Sequence, residues 1–330
     1  MIKHTKKFLM QALKILFSAG IIYWLVSSGK LNFSALRALL SPGPAALALG
    51  LVALNLFFAS ERWRILIKSQ HMKASSWPVF KLSLIGTFFN FAMPGGVGGD
   101  VIKAYYFNRQ NPGSKVVAVT SVLMDRVIGL FSMVLMALLV MVYDMDHITH
   151  VPSLMTLFWF ILALFIVFAV ALALIFSSVL YRKEILKKII KKLPLSEKFM
   201  KLYESMHLYG KHGGRILAVI FLSLIAQTCS ILFLYLVGMM AGYDDVHLKT
   251  YFLVAPLGFM ATAIPISPAG VGVGQAAFYF LFNIYNGKTT DLGPTTITAF
   301  QVGTFLMSLL GAFFYMRFKG HEHAEQIEVA

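Results

Sequence analysis

Asp125 and Arg126 stand side by side inside the apolar run 115–143. A charged side chain at the centre of a bilayer costs roughly 2.5–3.5 kcal/mol on insertion scales, so each must face protein and have a partner. Neighbours on a helix point ~100° apart and cannot fully satisfy one another. A guanidinium matches a phosphate through two parallel hydrogen bonds, which makes Arg126 the first candidate for a lipid-phosphate ligand. A structural ion pair with Asp100 or Asp125 is the competing reading. Asp100 and Lys103 lie three residues apart and share one helix face, Asp100 placed to cap its helix and to restrain Lys103 or Arg126. Glu61 and Arg62 sit near the inner end of another apolar run, followed by Trp63 and Arg64. Interfacial anchoring is the stronger explanation of them. Asp100, Asp125 and Glu61 are the candidates for supporting or proton-carrying roles.

A second constellation is built of glycine. Pro94-Gly95-Gly96-Val97-Gly98 recurs half a chain later as Pro268-Ala269-Gly270-Val271-Gly272. Gly96, Gly98 and Gly99 lack a Cβ, so backbone there approaches a ligand or another helix closely. The helix that follows presents its N-terminus, with open N–H groups and about half a positive charge, which suits an anion. Gly270 and Gly272 repeat the arrangement. Tight hairpin packing is the alternative use of the same glycines. A dinucleotide fingerprint needs a preceding strand in a βαβ unit, and no such strand is read here. Ser/His/Asp sets, zinc-protease motifs and phosphate-binding loops are absent, the histidines do not cluster, and Cys229 is the single cysteine. No cofactor and no metal is therefore expected.

The elements that position these residues follow from composition. The chain is 58% hydrophobic and 13% charged, where ordinary globular domains carry about 25% charge. It reads as an all-α polytopic membrane protein. A helix needs ~20 apolar residues to cross the bilayer core, and six segments qualify: about 8–28, 44–67, 115–143, 152–180, 215–241 and 290–317. The glycine motifs break two further apolar regions, 77–110 and 247–286, which read as re-entrant hairpins. Irregular backbone at membrane depth is tolerated only where protein or a wet cavity covers it.

With a cytoplasmic N-terminus, 24 of the 29 lysines and arginines fall inside and four outside, as the positive-inside rule requires. Both termini are then cytoplasmic. The two units, 44–143 and 215–317, become inverted copies within a single membrane domain, their tips meeting near the midplane. Residues 181–214 form a basic cytoplasmic segment with the spacing of an interfacial helix on anionic lipid. A basic stretch beside a span needs no nucleic acid to explain it.

Phe89–Asp100, Ser121–Leu130 and Pro268–Gly272 together resemble the lysylphosphatidylglycerol synthase transmembrane (flippase-like) family, which looks like the membrane domain of the multiple peptide resistance factor. Members usually carry an acidic–arginine pair where this chain has Asp125-Arg126, often with glutamate. The resemblance implies movement of a lipid or lipid-linked sugar between leaflets of a bacterial inner membrane, with two re-entrant helices. It implies no synthesis, since aminoacyl transfer in the full-length synthase belongs to a separate soluble domain. The expected ligand is an anionic phospholipid or polyprenyl-phosphate lipid, held by Arg126, Lys103 and the tip amides, and a lipid-synthesis enzyme is the candidate partner. A membrane glycosyltransferase or lipid-modifying enzyme, a solute transporter and a scaffold are the alternatives.

Overall fold

The computed structural model describes Tyr23 and residues 41–92, 98–191 and 196–328. The helices, in chain order, are α1 (Pro42–Ser69), α2 (Ser76–Ala92), α3 (Gly98–Gln110), α4 (Lys115–Tyr143), α5 (Met145–His150), α6 (Pro152–Phe176), α7 (Ser178–Arg182), α8 (Ile185–Ile190), α9 (Ser196–Gly210), α10 (Gly213–Met240), α11 (Leu248–Ala263), α12 (Val273–Asn286) and α13 (Leu292–Glu328). Among the described residues there is no strand.

Five helices are long and apolar enough to cross a membrane: α1, α4, α6, α10 and residues Leu292–Arg317 of α13. They coincide with five of the six spans read from the sequence. The sixth, 8–28, lies outside the described residues, apart from Tyr23. The span expected to reach residue 180 stops at Phe176. Ser177 leaves the helix (φ −63°, ψ 113°) and its side chain accepts from the Leu180 N–H, starting α7 instead.

The second glycine-motif region forms a helix–break–helix pair, α11/α12; in the first, α2 and α3 flank residues 93–97, which lie outside the described residues. At 1.5 Å per residue the 17 and 13 residues of the first pair, and the 16 and 14 of the second, extend about 20–25 Å each, short of the ~30 Å hydrocarbon core. No single arm spans. The second break has a clear local cause. Ile264 precedes Pro265 and Ser267 precedes Pro268, and both take the extended backbone that a following proline imposes.

The chain divides into two compact units, each built from separated stretches. The first holds the described residues within 1–56, 81–102 and 227–330, and so contains the flanks of both breaks. Its helices pack through small residues. A Cβ at Gly311 would stand 2.1 Å from the Leu84 carbonyl oxygen, so α13 crosses α2 at backbone contact. Lipid is as apolar as leucine, and such close van der Waals packing is what holds membrane helices together.

The second unit holds residues 57–80 and 103–226. Leu66, Met124, Ile128, Leu172, Tyr209, Ile216 and Val219 form its core, drawn from α1, α4, α6, α9 and α10. Hydroxyl and amide groups are paired inside it: Thr120 Oγ1 meets Ser205 Oγ at 2.8 Å, and Gln70 Nε2 donates to the Ser205 carbonyl at 2.6 Å. The basic 181–214 segment takes two forms. Through α8 it is short and carries exposed Lys183, Lys188 and Lys191, whereas α9 packs on α4 and α6 with Tyr203, Ser205, His207 and Tyr209 buried. Alternation of tyrosine, serine and histidine with charge concealed that inward face in the sequence.

Candidate functional site

Within the second unit, the Arg62 side chain of α1 is held by two further helices. Its Nε donates to Asp125 Oδ1 at 2.7 Å and its Nη1 to Ser223 Oγ at 3.0 Å. Asp125 belongs to α4 and Ser223 to α10. Gly129, one turn beyond Asp125, lies under the guanidinium: a Cβ there would be 3.0 Å from Nη1. The side chains of Arg62 and Asp125 are 14% and 10% exposed, so the pair is largely removed from solvent. The ion pair of Asp125 is made with α1, not with its sequence neighbour.

The next residue of α1 extends the site. Trp63 is wholly buried and its indole N–H donates to Ser121 Oγ at 3.1 Å. Lys103 Nζ lies 5.0 Å from the centroid of the Trp63 ring, within cation–π range. Phe107, a turn further along α3, meets the same ring edge-on at 6.1 Å. Glu61 Oε2 pairs with Arg64 at 2.5 Å. Glu61 Oε1 is buried and, among the described residues, accepts no hydrogen bond. Tyr209 of α9 is buried as well. Burial pushes its phenol well above the usual range, and the nearby Asp125 charge adds to the shift.

Arg126 is half-buried on α4 and engaged with its surroundings. Arg62, Lys103 and Arg126 are thus three cations in one unit that also holds Asp125 and the self-paired Glu61 and Arg64. Arg62 is joined to Asp125 by the ion pair, and Lys103 is joined to the same stretch of α1 through the Trp63 ring. Sequence reasoning named Arg126, Lys103, Asp125 and Glu61, but missed Arg62, Ser223 and the Trp63 platform. An Arg-Trp-Arg run at the end of a span looks the same whether it anchors to headgroups or turns inward.

The glycines of the motifs lie in the first unit. Gly99 is buried, and its N–H donates to Asn90 Oδ1 at 2.9 Å across the first break. A Cβ at Gly99 would stand 1.9 Å from the Gly86 carbonyl oxygen, so no larger residue fits. Gly98 and Asp100 occupy the first turn of α3 with it. Gly96 lies outside the described residues.

At the second break Gly270 and Gly272 have φ of +71° and +85°, the left-handed region that glycine enters without strain. The Gly272 N–H donates to Gln275 Oε1 at 2.7 Å. Gln275 Nε2 donates in turn to Gln301 Oε1 at 2.7 Å and Thr298 Oγ1 at 3.0 Å, and Gln301 Nε2 reaches the Ala269 carbonyl at 3.3 Å. The expected anion donors Gly99 and Gly272 therefore already serve side-chain amides. An amide side chain secures each break, Asn90 before the first and Gln275 after the second. No cluster of three or more metal-ligating side chains occurs among the described residues.

A helical protein with five helices long and apolar enough to cross a membrane, and an ion pair largely removed from solvent between two of them, belongs to the class of polytopic integral membrane proteins. More closely, residues 11–311 match the Lysylphosphatidylglycerol synthase TM region, and the chain belongs to that family. It is similar to a UPF0104 membrane protein of Methanocaldococcus jannaschii, 24% identical over 326 residues, covering 94% of both chains. No solved structure matches it.

Proposed function

We propose that this protein moves an anionic lipid, a phospholipid or a lipid-linked headgroup, between the leaflets of a bacterial inner membrane. The supporting observation is the Arg62–Asp125 ion pair, largely removed from solvent, with Lys103 on the ring of the adjoining Trp63. Carrying a phosphate across hydrocarbon fails on the cost of burying its charge. Paired cations held inside the membrane domain remove most of that cost while the acyl chains stay in lipid. Arg126 and Lys103 are the headgroup ligands, with Gly96, Gly98, Gly99, Gly270 and Gly272 permitting close approach of the breaks. The two breaks act as re-entrant tips of inverted repeats, and both termini face the cytoplasm. A lipid-synthesis enzyme is a fitting partner.

The test is leaflet exchange in liposomes that contain fluorescent phosphatidylglycerol, phosphatidylethanolamine or a polyprenyl-phosphate lipid. Protein-dependent exchange that disappears in a folded Arg126→Ala variant is the expected result. No exchange of any of the three by folded native protein would end the transport reading.

A further inference from the structure

We propose that Arg62 is a ligand for a phosphodiester monoanion, and that Asp125 is its resident counter-ion, which takes up a proton when the headgroup displaces it. The proposal rests on the lipid-transport reading above and adds a residue and a coupling to it. Arg62 uses Nε for Asp125 and Nη1 for Ser223, and among the described residues nothing accepts from Nη2. The Nε–Nη2 edge of a guanidinium is the edge that grips a phosphate or carboxylate bidentately. Asp125 holds only half of it, through one oxygen. A phosphodiester arriving at Nη2 completes the fork by taking Nε, while Gly129 below and Ser223 beside keep the guanidinium in place.

The displaced carboxylate is then buried beside an anion. Around it stand Arg62 from α1 and Tyr209 from α9, with Arg126 next along α4. Lys103 from α3 is engaged on the Trp63 ring, and Glu61 and Arg64 pair with each other. Tyr209 has its phenol held neutral by burial, and it supplies no positive charge. A buried carboxylate that loses its partner takes a proton rather than remain charged. The proton comes from the aqueous phase and converts the Asp125 carboxylate to the acid. The site then carries the same net charge with and without the lipid, one proton entering with each monoanion.

Calorimetric titration of detergent-solubilised native protein with dihexanoylphosphatidylglycerol, in two buffers of different ionisation enthalpy at one pH, reads the protons taken up per lipid. About one proton is expected for native protein and about none for Asp125→Asn. Arg62→Gln is expected to weaken binding about 10- to 100-fold, as loss of a charge-assisted hydrogen bond does. The acyl-free headgroup sn-glycero-3-phosphoglycerol is expected to bind at least about tenfold more weakly, since no chains are buried. Binding by native protein without proton uptake, or unchanged affinity in Arg62→Gln, overturns the proposal while leaving lipid transport standing. Equal affinity for the acyl-free headgroup assigns the site to a soluble phosphodiester and overturns the lipid assignment. If native protein binds no dihexanoylphosphatidylglycerol, this proposal falls, and the transport reading is decided by the leaflet-exchange assay. The native measurement alone decides the coupling should a variant fail to fold.

Discussion

Gly129 lies so close beneath Arg62 that a methyl group in its place would stand 3.0 Å from Nη1. That contact is tighter than ordinary van der Waals packing. It turns a glycine in the middle of a transmembrane helix into a rest for a guanidinium.

Gly129→Ala should therefore separate stability from transport. Alanine in a helix interior is favoured over glycine by about 1 kcal/mol, while the added methyl displaces Arg62 from the line joining Asp125 and Ser223. The expected outcome is a thermal midpoint close to that of native protein together with slower lipid exchange. Gly129→Leu should lose both. Exchange at the native rate in Gly129→Ala would show that the position of Arg62 does not matter to transport.

Gln275 secures the second break, and its loss should be felt in stability. Gln275→Leu removes the acceptor of the Gly272 N–H and the donor to Gln301 and Thr298. A buried polar group left unsatisfied costs about 1–3 kcal/mol. A double-mutant cycle with Gln301→Leu should show coupling of about 0.5–3 kcal/mol, because the two amides share one network. Thermal unfolding in detergent gives all four corners of the cycle, and strictly additive losses would mean that the network is not cooperative.

Lys288 and Asp245 form an ion pair outside the spans. The hydrogen bond from Lys288 holds the Asp245 carboxyl below its ordinary value of 3.8. A carboxylate with a depressed folded pKa contributes stability above the unfolded pKa and loses it as pH falls through the folded value. Lys288→Gln should thus unfold slightly earlier than native protein at pH 6, and the two should converge below about pH 3.8. The difference should also fade in high salt, since the pair is exposed. A gap that persists in acid and salt would assign the effect to packing instead.

Much of the helical plan was legible before any coordinates. Five spans were readable because ~20 uninterrupted apolar residues leave no other way to satisfy backbone groups in lipid. Pro268-Ala269-Gly270-Val271-Gly272 marked the break between α11 and α12, because prolines stop helices and glycines accept the left-handed turns. Asp125 and Arg126 announced themselves as intramembrane charges. The inward face of α9 was hidden, since lysines and glutamate alternate with its buried tyrosines and histidine. Arg126, Lys103 and Asp125 stood out by position, whereas Arg62 was visible only as a charge near the end of a span.

Local rules therefore determined from sequence alone that this is a polytopic helical membrane protein, where its apolar helices break, and that charge is buried in it. Tertiary structure alone decided which charges meet. On paper Arg126 could pair with Asp100 or Asp125, because a helical wheel gives the direction of a side chain but not what stands opposite. The crossing of α1, α4 and α10 brought Arg62 to 2.7 Å from Asp125 and 3.0 Å from Ser223. Gly129 made room for it. Such a pairing depends on helix rotation and separation, to which no property of either residue's own stretch of chain gives access.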